Sequence, residues 1–462
     1  MSIMKKIDYG SNRVVYNIFQ SVIPLMVAQI LIILYNVVDR FYIGRIPVTG
    51  TVALGGVGVC FPLIILITGF TNMFGMGGTP LFSMAAGAGK KDMARDIQNT
   101  SFVLLIISAV VLMVIGEIWA GPILDFFGAG PENLVYAKSY FEIYLTGNIF
   151  AMLSGGMNPY ITAQGFPRIG MMTIAIGAIT NMALDPLFIF VFHMGVAGAA
   201  VATVISQFLS AAYSWHFFHS RDNGYPLYGL RKNSRGVYLP YTGDIISLGT
   251  VPFIMQTTNS MVLVAANQML SHLGGALDIT IMTIASSVRQ ILDIPALSIA
   301  DGTAPLISYN YGAGHLGIMR KAIRIMTAGT FLYTLTGWLC IEGFPHFFAG
   351  IFSNDANLIE KAVPALHIFC IAFIFQSLQM SGQTVFRSLG MKKQAIFFSL
   401  FRKVILVIPL TYILPYVGYL GKMGVFWAEP VSNVIGGVCC YTTMYFIMHR
   451  KLKQMEKQGK YL

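Results

Sequence analysis

Residues 80–89 read PLFSMAAGAG, and 225 positions later residues 305–314 read PLISYNYGAG. Pro, Leu, Ser, Gly, Ala and Gly recur in register, and Arg95 is answered by Arg320. An offset close to half of a 462-residue chain means two copies of one unit. Fainter echoes extend the match. Gly165 and Arg168 in QGFPR answer Gly390 and Lys393 in LGMKK, Pro24 answers Pro252, and Met194-Gly195-Val196 returns as Met423-Gly424-Val425.

Each copy must live in a bilayer. Hydrophobic residues make up 55% of the chain and charged ones only 11%, where a soluble domain carries about 25% charged residues. Apolar runs of the roughly 20 residues that cross a hydrocarbon core fall near 17–41, 53–77, 98–120, 138–160, 169–192, 196–218, 245–270, 279–306, 323–345, 364–386, 397–417 and 424–448. The expected fold is therefore an all-α membrane protein of twelve transmembrane helices in two six-helix lobes. Both GAG loops, 87–96 and 312–321, are basic and follow the second span of their copy. The copies thus share one orientation and are related by a pseudo-two-fold axis along the membrane normal, as in secondary transporters built from parallel repeats. The expected divisions are an N-lobe at 1–218, a cytoplasmic linker at 219–243, a C-lobe at 244–449 and a short basic tail at 450–462.

Of the 30 Lys and Arg, all but Arg40, Arg45, Lys138, Arg289, Lys361 and Lys422 are assigned to one alternating set of loops and termini. Positive residues near span ends favour the cytoplasm, so both termini are expected there. The net charge of +11 follows from this bias. Because the basic residues are dispersed over short segments, they suit anionic lipid headgroups and not nucleic acid. All five Cys lie inside expected spans with no CxxC and no His at metal spacing, so no metal or cofactor site is expected.

Acids within spans need a reason, usually an ion path or a partner. Asp39 follows Tyr35 and Asn36 on the first span, and Tyr35 at i−4 shares its face. Asp185 follows Asn181 by the same four residues on the fifth span and precedes Pro186, whose ring crowds the carbonyl of Met182 and hinges the helix. A carboxylate in so apolar a setting can bind and release a proton. The alternatives are that Asp39 sits at an interface with Arg40 and Arg45, and that Asp185 caps a kink. Thr203, on the sixth span, carries little alone, because Thr in membrane helices commonly bonds its own backbone. In the second copy Asn267 stands where the first has Asp39, so the lobes are chemically unequal. Arg289 and Asp293, at i, i+4, are read as an internal ion pair or as part of a pathway. Asn36, Asn158, Asn267, Asp293, Asp301 and Glu429 are the candidates for lining a substrate cavity.

Together, Tyr35-x-x-x-Asp39, the two GAG loops, Asn181-x-x-x-Asp185-Pro186 and MGVAGAA (194–200) with Thr203 resemble the multidrug and toxic compound extrusion (MATE) family, in its bacterial MepA-like branch, over nearly the whole chain. The resemblance implies two six-helix bundles around a central cleft in a bacterial cell membrane. It implies export of amphipathic, often cationic, drugs by a chain taken to act as a monomer, driven by H+ or Na+. It also implies a coupling-ion site at Tyr35, Asp39, Asn181, Asp185 and Thr203, with Na+ a candidate at Asp39, Asp185 and Asn181. An ion site in the second lobe, which some relatives place on an acid of the seventh or tenth span, is not matched, since those spans offer Asn267, Gln268, Gln376 and Gln379.

Three rival functions fit the sequence less well. A lipid-linked precursor flippase needs a positively lined cavity, whereas the charges assigned to the membrane are mainly acidic, with Arg289 the main exception. A membrane enzyme would need a catalytic motif, and no HExxH, nucleophile elbow or DxD pair is present. A passive channel fits poorly with two copies of unequal chemistry.

Overall fold

Within a bilayer every backbone polar group must be satisfied internally, and helices do this within each segment. The computed structural model describes residues 6–47, 50–220, 224–229, 231–233, 236–352, 355–418 and 420–457. Lys5, Arg221, Arg235 and Lys460, all expected on the cytoplasmic side, lie outside them. The first copy runs α1 (Val14–Gly44), α2 (Gly50–Gly87), α3 (Lys91–Ile118), the short α4 (Ala120–Phe126), α5 (Leu134–Ala163), α6 (Pro167–Pro186) continued by a π-helical turn (Leu187–Val191), and α7 (Gly195–His219). The second runs α8 (Thr242–Leu273), α9 (Ala276–Ala313), α10 (Leu316–Gly343), the short α11 (Pro345–Gly350), α12 (Ala356–Cys370), α13 (Phe373–Ser388), α14 (Lys392–Leu400) with a π segment (Phe401–Val407) and α15 (Ile408–Ile413), then α16 (Met423–Lys457).

Each of the twelve expected spans has a helical counterpart among the described residues. Eight of these helices are long and apolar enough to cross a membrane, and α12 with α13, bent by 44°, makes a ninth. Two details depart from expectation. The linker carries a small antiparallel hairpin, β1 (Arg231–Asn233) on β2 (Gly236–Tyr238), with Arg231 opposite Tyr238. The stretch assigned to the tail begins as helix, since α16 continues to Lys457 through a Lys- and Gln-rich run of good helix formers.

The chain packs as two units, 1–8 with 23–253 and 9–22 with 254–462. The divisions cut α1 and α8 beside the repeated prolines, Pro24 and Pro252. In the first unit α2 lies along α3 and α5, α5 packs on α7, and α6 packs on α7. Glycine sets the closest approach: a Cβ on Gly75 would meet the Gly156 carbonyl oxygen at 2.6 Å, so α2 and α5 touch backbone to backbone. In the second unit α13 packs on α16, α10 and α9, and a Cβ on Gly437 of α16 would lie 2.4 Å from the Phe375 carbonyl oxygen. Along α1, Phe19, Ile23, Val27, Ile30, Leu34, Val37 and Phe41 form an exposed stripe at helical spacing, the surface a membrane helix offers to lipid.

The repeat is visible in the backbone as well as in the sequence. Gly89 and Gly314, the last residues of the two GAG loops, have φ of 72° and 77°, and Gly165 and Gly390 have 94° and 67°. These are left-handed turns that glycine adopts without steric cost. The linker is strapped to the first unit: Asn99 accepts from the amides of Tyr228 (3.1 Å) and Gly229 (2.9 Å) and donates to Gly229 O (2.7 Å). Gln98 donates to Tyr225 O at 2.7 Å, and Tyr228 donates to Asp96.

Candidate ion-coupling site

The four-residue spacing in α6 puts Asn181 and Asp185 on one face, and α6 packs on α7, which supplies Thr203. Asn181 Nδ2 donates to Asp185 Oδ1 at 3.2 Å and to Thr203 Oγ1 at 3.3 Å, while the Thr203 hydroxyl donates to Ala199 O at 2.9 Å. Asp185 is completely buried, and Asn181, Thr203 and Asp39 are buried too. Asp39 and Asp185 are close enough for their charges to repel, and Tyr35 feels both. The sequence motifs of the first and fifth spans therefore converge.

The atoms this group leaves without a hydrogen bond among the described residues are oxygens and not nitrogens. Asp39 Oδ1, Asp185 Oδ2 and Asn181 Oδ1 have no hydrogen-bond partner among the described residues, and the Thr203 oxygen is a neighbour. Such a set suits a proton or a hard cation such as Na+. Among the described residues no group of three or more His, Cys, Asp or Glu could hold a metal ion, so carboxylate pairs and neutral oxygens would have to do this work. The Asp39 side chain is buried and feels the Arg40 charge, while the guanidinium groups of Arg40 and Arg45 lie over Phe61 (4.3 Å) and Phe41 (4.1 Å).

Three neighbours escaped the sequence reading. Tyr140 and Tyr144 of α5 stack at 6.3 Å and interact electrostatically with Asp39 and Tyr35, respectively. Gln207 bonds the Tyr144 hydroxyl. Their signal was present as i, i+4 spacing: Tyr140 with Tyr144, and Thr203 with Gln207.

The proposed cavity residues are scattered. Asn36 donates to Ile32 O of its own helix (2.7 Å) and also bonds the Tyr35 hydroxyl, whereas Asn158 donates to Gly170 O (2.7 Å). Asn267 Oδ1 has no hydrogen-bond partner among the described residues. Asp301 is paired with Arg387 at 2.7 Å. Arg289 and Asp293 interact electrostatically along α9, and each has further partners: Asp293 accepts from Gln376 Nε2 (2.8 Å), and Arg289 Nη2 lies 3.8 Å from Glu429. Glu429 also accepts from Arg402 (2.9 Å) and Lys403 (3.1 Å). Arg402 and Lys403, assigned from sequence to the cytoplasmic side, instead lie in the π segment midway along 392–416, with side chains 12% and 16% exposed. The intramembrane charge of the second unit is thus richer in cations than the sequence reading allowed.

Comparison with known proteins adds the family. The MatE family profile matches residues 24–187 and 252–413, one stretch in each copy. The chain belongs to the MatE family. This MatE protein is 20% identical over 429 residues to the multidrug export protein MepA of Staphylococcus aureus (strain MSSA476), covering 93% of each chain. Its fold superposes with a TM-score of 0.86 on an outward-facing MATE family transporter of the MOP superfamily, 21% identical, over 95% of this chain and 96% of that one. A MOP superfamily transporter from Pyrococcus furiosus, in which the reverse polarity of the binding pocket suggests a different function, matches with a TM-score of 0.85 at 20% identity over 94% and 95% of the chains. The MatE protein is therefore a multi-pass membrane protein with the twelve-helix, two-lobe architecture of its family.

Proposed function

We propose that this MatE protein is a secondary active multidrug exporter that moves amphipathic, often cationic, compounds out of a bacterial cell in exchange for H+ or Na+ by alternating access. The observation that carries the reading is that Asp39 and Asp185, both buried in the first unit, interact electrostatically and each keep a carboxylate oxygen unbonded among the described residues. Two buried carboxylates that repel each other hold a cation well, and a cationic drug and the coupling ion compete for that one negative site. Occupation by the ion neutralises the pair, and the helix break after Pro186, continued as the π turn 187–191, gives α6 a place to bend. The fold leaves the charge of the cargo open, as the neighbour with a pocket of reverse polarity illustrates, so the acids of the first unit are what favour cations. Both termini are cytoplasmic, and the chain works as a monomer in a lipid bilayer.

In inside-out vesicles carrying the protein, a proton or sodium gradient should drive uptake of a cationic dye. Asp185→Asn should abolish uptake at unchanged membrane abundance, whereas undiminished uptake would remove the acid from the coupling. Imposing each gradient separately identifies the ion.

A further inference from the structure

The second unit holds a charge cluster for which cation coupling has no use. Arg289 and Asp293 come from α9, Gln376 from α13, Arg402 and Lys403 from the π segment, and Glu429 and Asn433 from α16. Three cations face two carboxylates on helices of the membrane domain, a rare and costly arrangement that marks a functional site by default.

The carboxylates are already engaged. Glu429 takes Arg402, Lys403 and the longer contact from Arg289, and Asp293 takes the Gln376 amide. Two donors are left over. Arg289, 5% exposed, gives Nη1 to Phe369 O (3.2 Å), but its Nη2 has no hydrogen-bond partner among the described residues. Asn433, fully buried, accepts from Arg402 at Oδ1 (2.6 Å), which fixes its amide so that Nδ2 is the atom without a partner. An excess cation with two unsatisfied donors is the complement of an anion, and guanidinium with amide suits a planar carboxylate. Phe369 and Phe373, whose ring centroids lie 5.5 Å and 5.3 Å from the Arg289 guanidinium carbon, set aromatic surface beside those donors. A π segment inside a membrane helix is itself a frequent mark of function, and here it carries two of the three cations.

We infer that this cluster binds one carboxylate group carried by an aromatic acid. The cargo range then includes acids or zwitterions, an extension that leans on the exporter reading only for how the acid reaches the site.

Equilibrium binding of radiolabelled benzoate to the purified full-length protein in nanodiscs, in chloride-free buffer, tests the inference without transport. Saturable binding is expected, with benzamide failing to compete. Arg289→Gln and Lys403→Gln should each weaken it by about tenfold or more, the scale of a charge-assisted hydrogen bond. Melting profiles of both variants that match wild type guard against a fold defect in them. Asp185→Asn should lose dye export yet still bind benzoate, so failure of the exporter reading and failure of this one are separable. The inference is overturned if wild type shows no saturable binding, if benzamide competes equally, if Arg289→Gln and Lys403→Gln both bind as wild type does, or if chloride displaces benzoate at equal concentration, which would make the site one for an inorganic anion.

Discussion

Asn181 decides the character of the first-unit site. Its amide nitrogen is committed to Asp185 and Thr203, so its carbonyl oxygen is left facing the same group of oxygens as the acids. Replacing it with Leu keeps the volume and removes both the donor and that oxygen. A hydrogen bond to a charged group contributes about 1.5–3 kcal/mol. Asn181→Leu should therefore raise the cation concentration that half-saturates drug release by about tenfold or more, with abundance unchanged, as read by dye displacement from purified protein. Gln207 is a subtler case, since it is linked to the acids through Tyr144 and then Tyr35. Gln207→Leu should alter the half-saturating cation concentration less than Asn181→Leu does, and an equal effect would place Gln207 in direct contact with the ion.

The element that matters most is α6 with its π turn. Proline denies the ladder a donor, and the turn that follows widens to i→i+5 bonding instead of stopping. Pro186→Ala restores the missing N–H and favours a straight helix. Dye uptake should slow while cation binding to the same protein persists; equal loss of both would mean that Pro186 shapes the site and not the movement. Helix contact is a separate matter at this scale. The α2–α5 approach at Gly75 has the Gly156 backbone oxygen in the way of any side chain, and backbone cannot swing aside as a side-chain tip can. Overpacking of this kind costs about 1–3 kcal/mol. Gly75→Ala should lower the melting temperature of the purified protein by about 3 °C or more, whereas Gly121→Ala, where an added Cβ meets nothing within 4 Å, should leave it within error.

At the scale of the whole molecule, the duplicated unit fixes orientation. In a cysteine-free background, Lys91→Cys and Lys393→Cys, both at exposed positions after a left-handed glycine turn, should react with an impermeant maleimide only from the cytoplasmic side. Lys138→Cys should react only from outside. The same reaction from both sides would undo the assignment of the termini. Much of this was legible without coordinates, because a repeat and an apolar run are properties of consecutive residues. The pairing of Asn181 with Asp185 was legible too, since helical spacing brings i and i+4 together. The surroundings of Arg402 and Lys403 are not legible for the converse reason: a charged pair looks like a loop until α9 and α16 bring Arg289, Glu429 and Asn433 around it. Tyr140 and Tyr144 likewise look like apolar filler until α1 sets Asp39 near the first and Tyr35 near the second. The sequence by itself determined the membrane, the duplication, the acids and their spacing along single helices. The tertiary structure alone decided which charges from different spans meet, because contact between helices depends on side chains far apart in the chain and on glycine-set approach distances that no local pattern records.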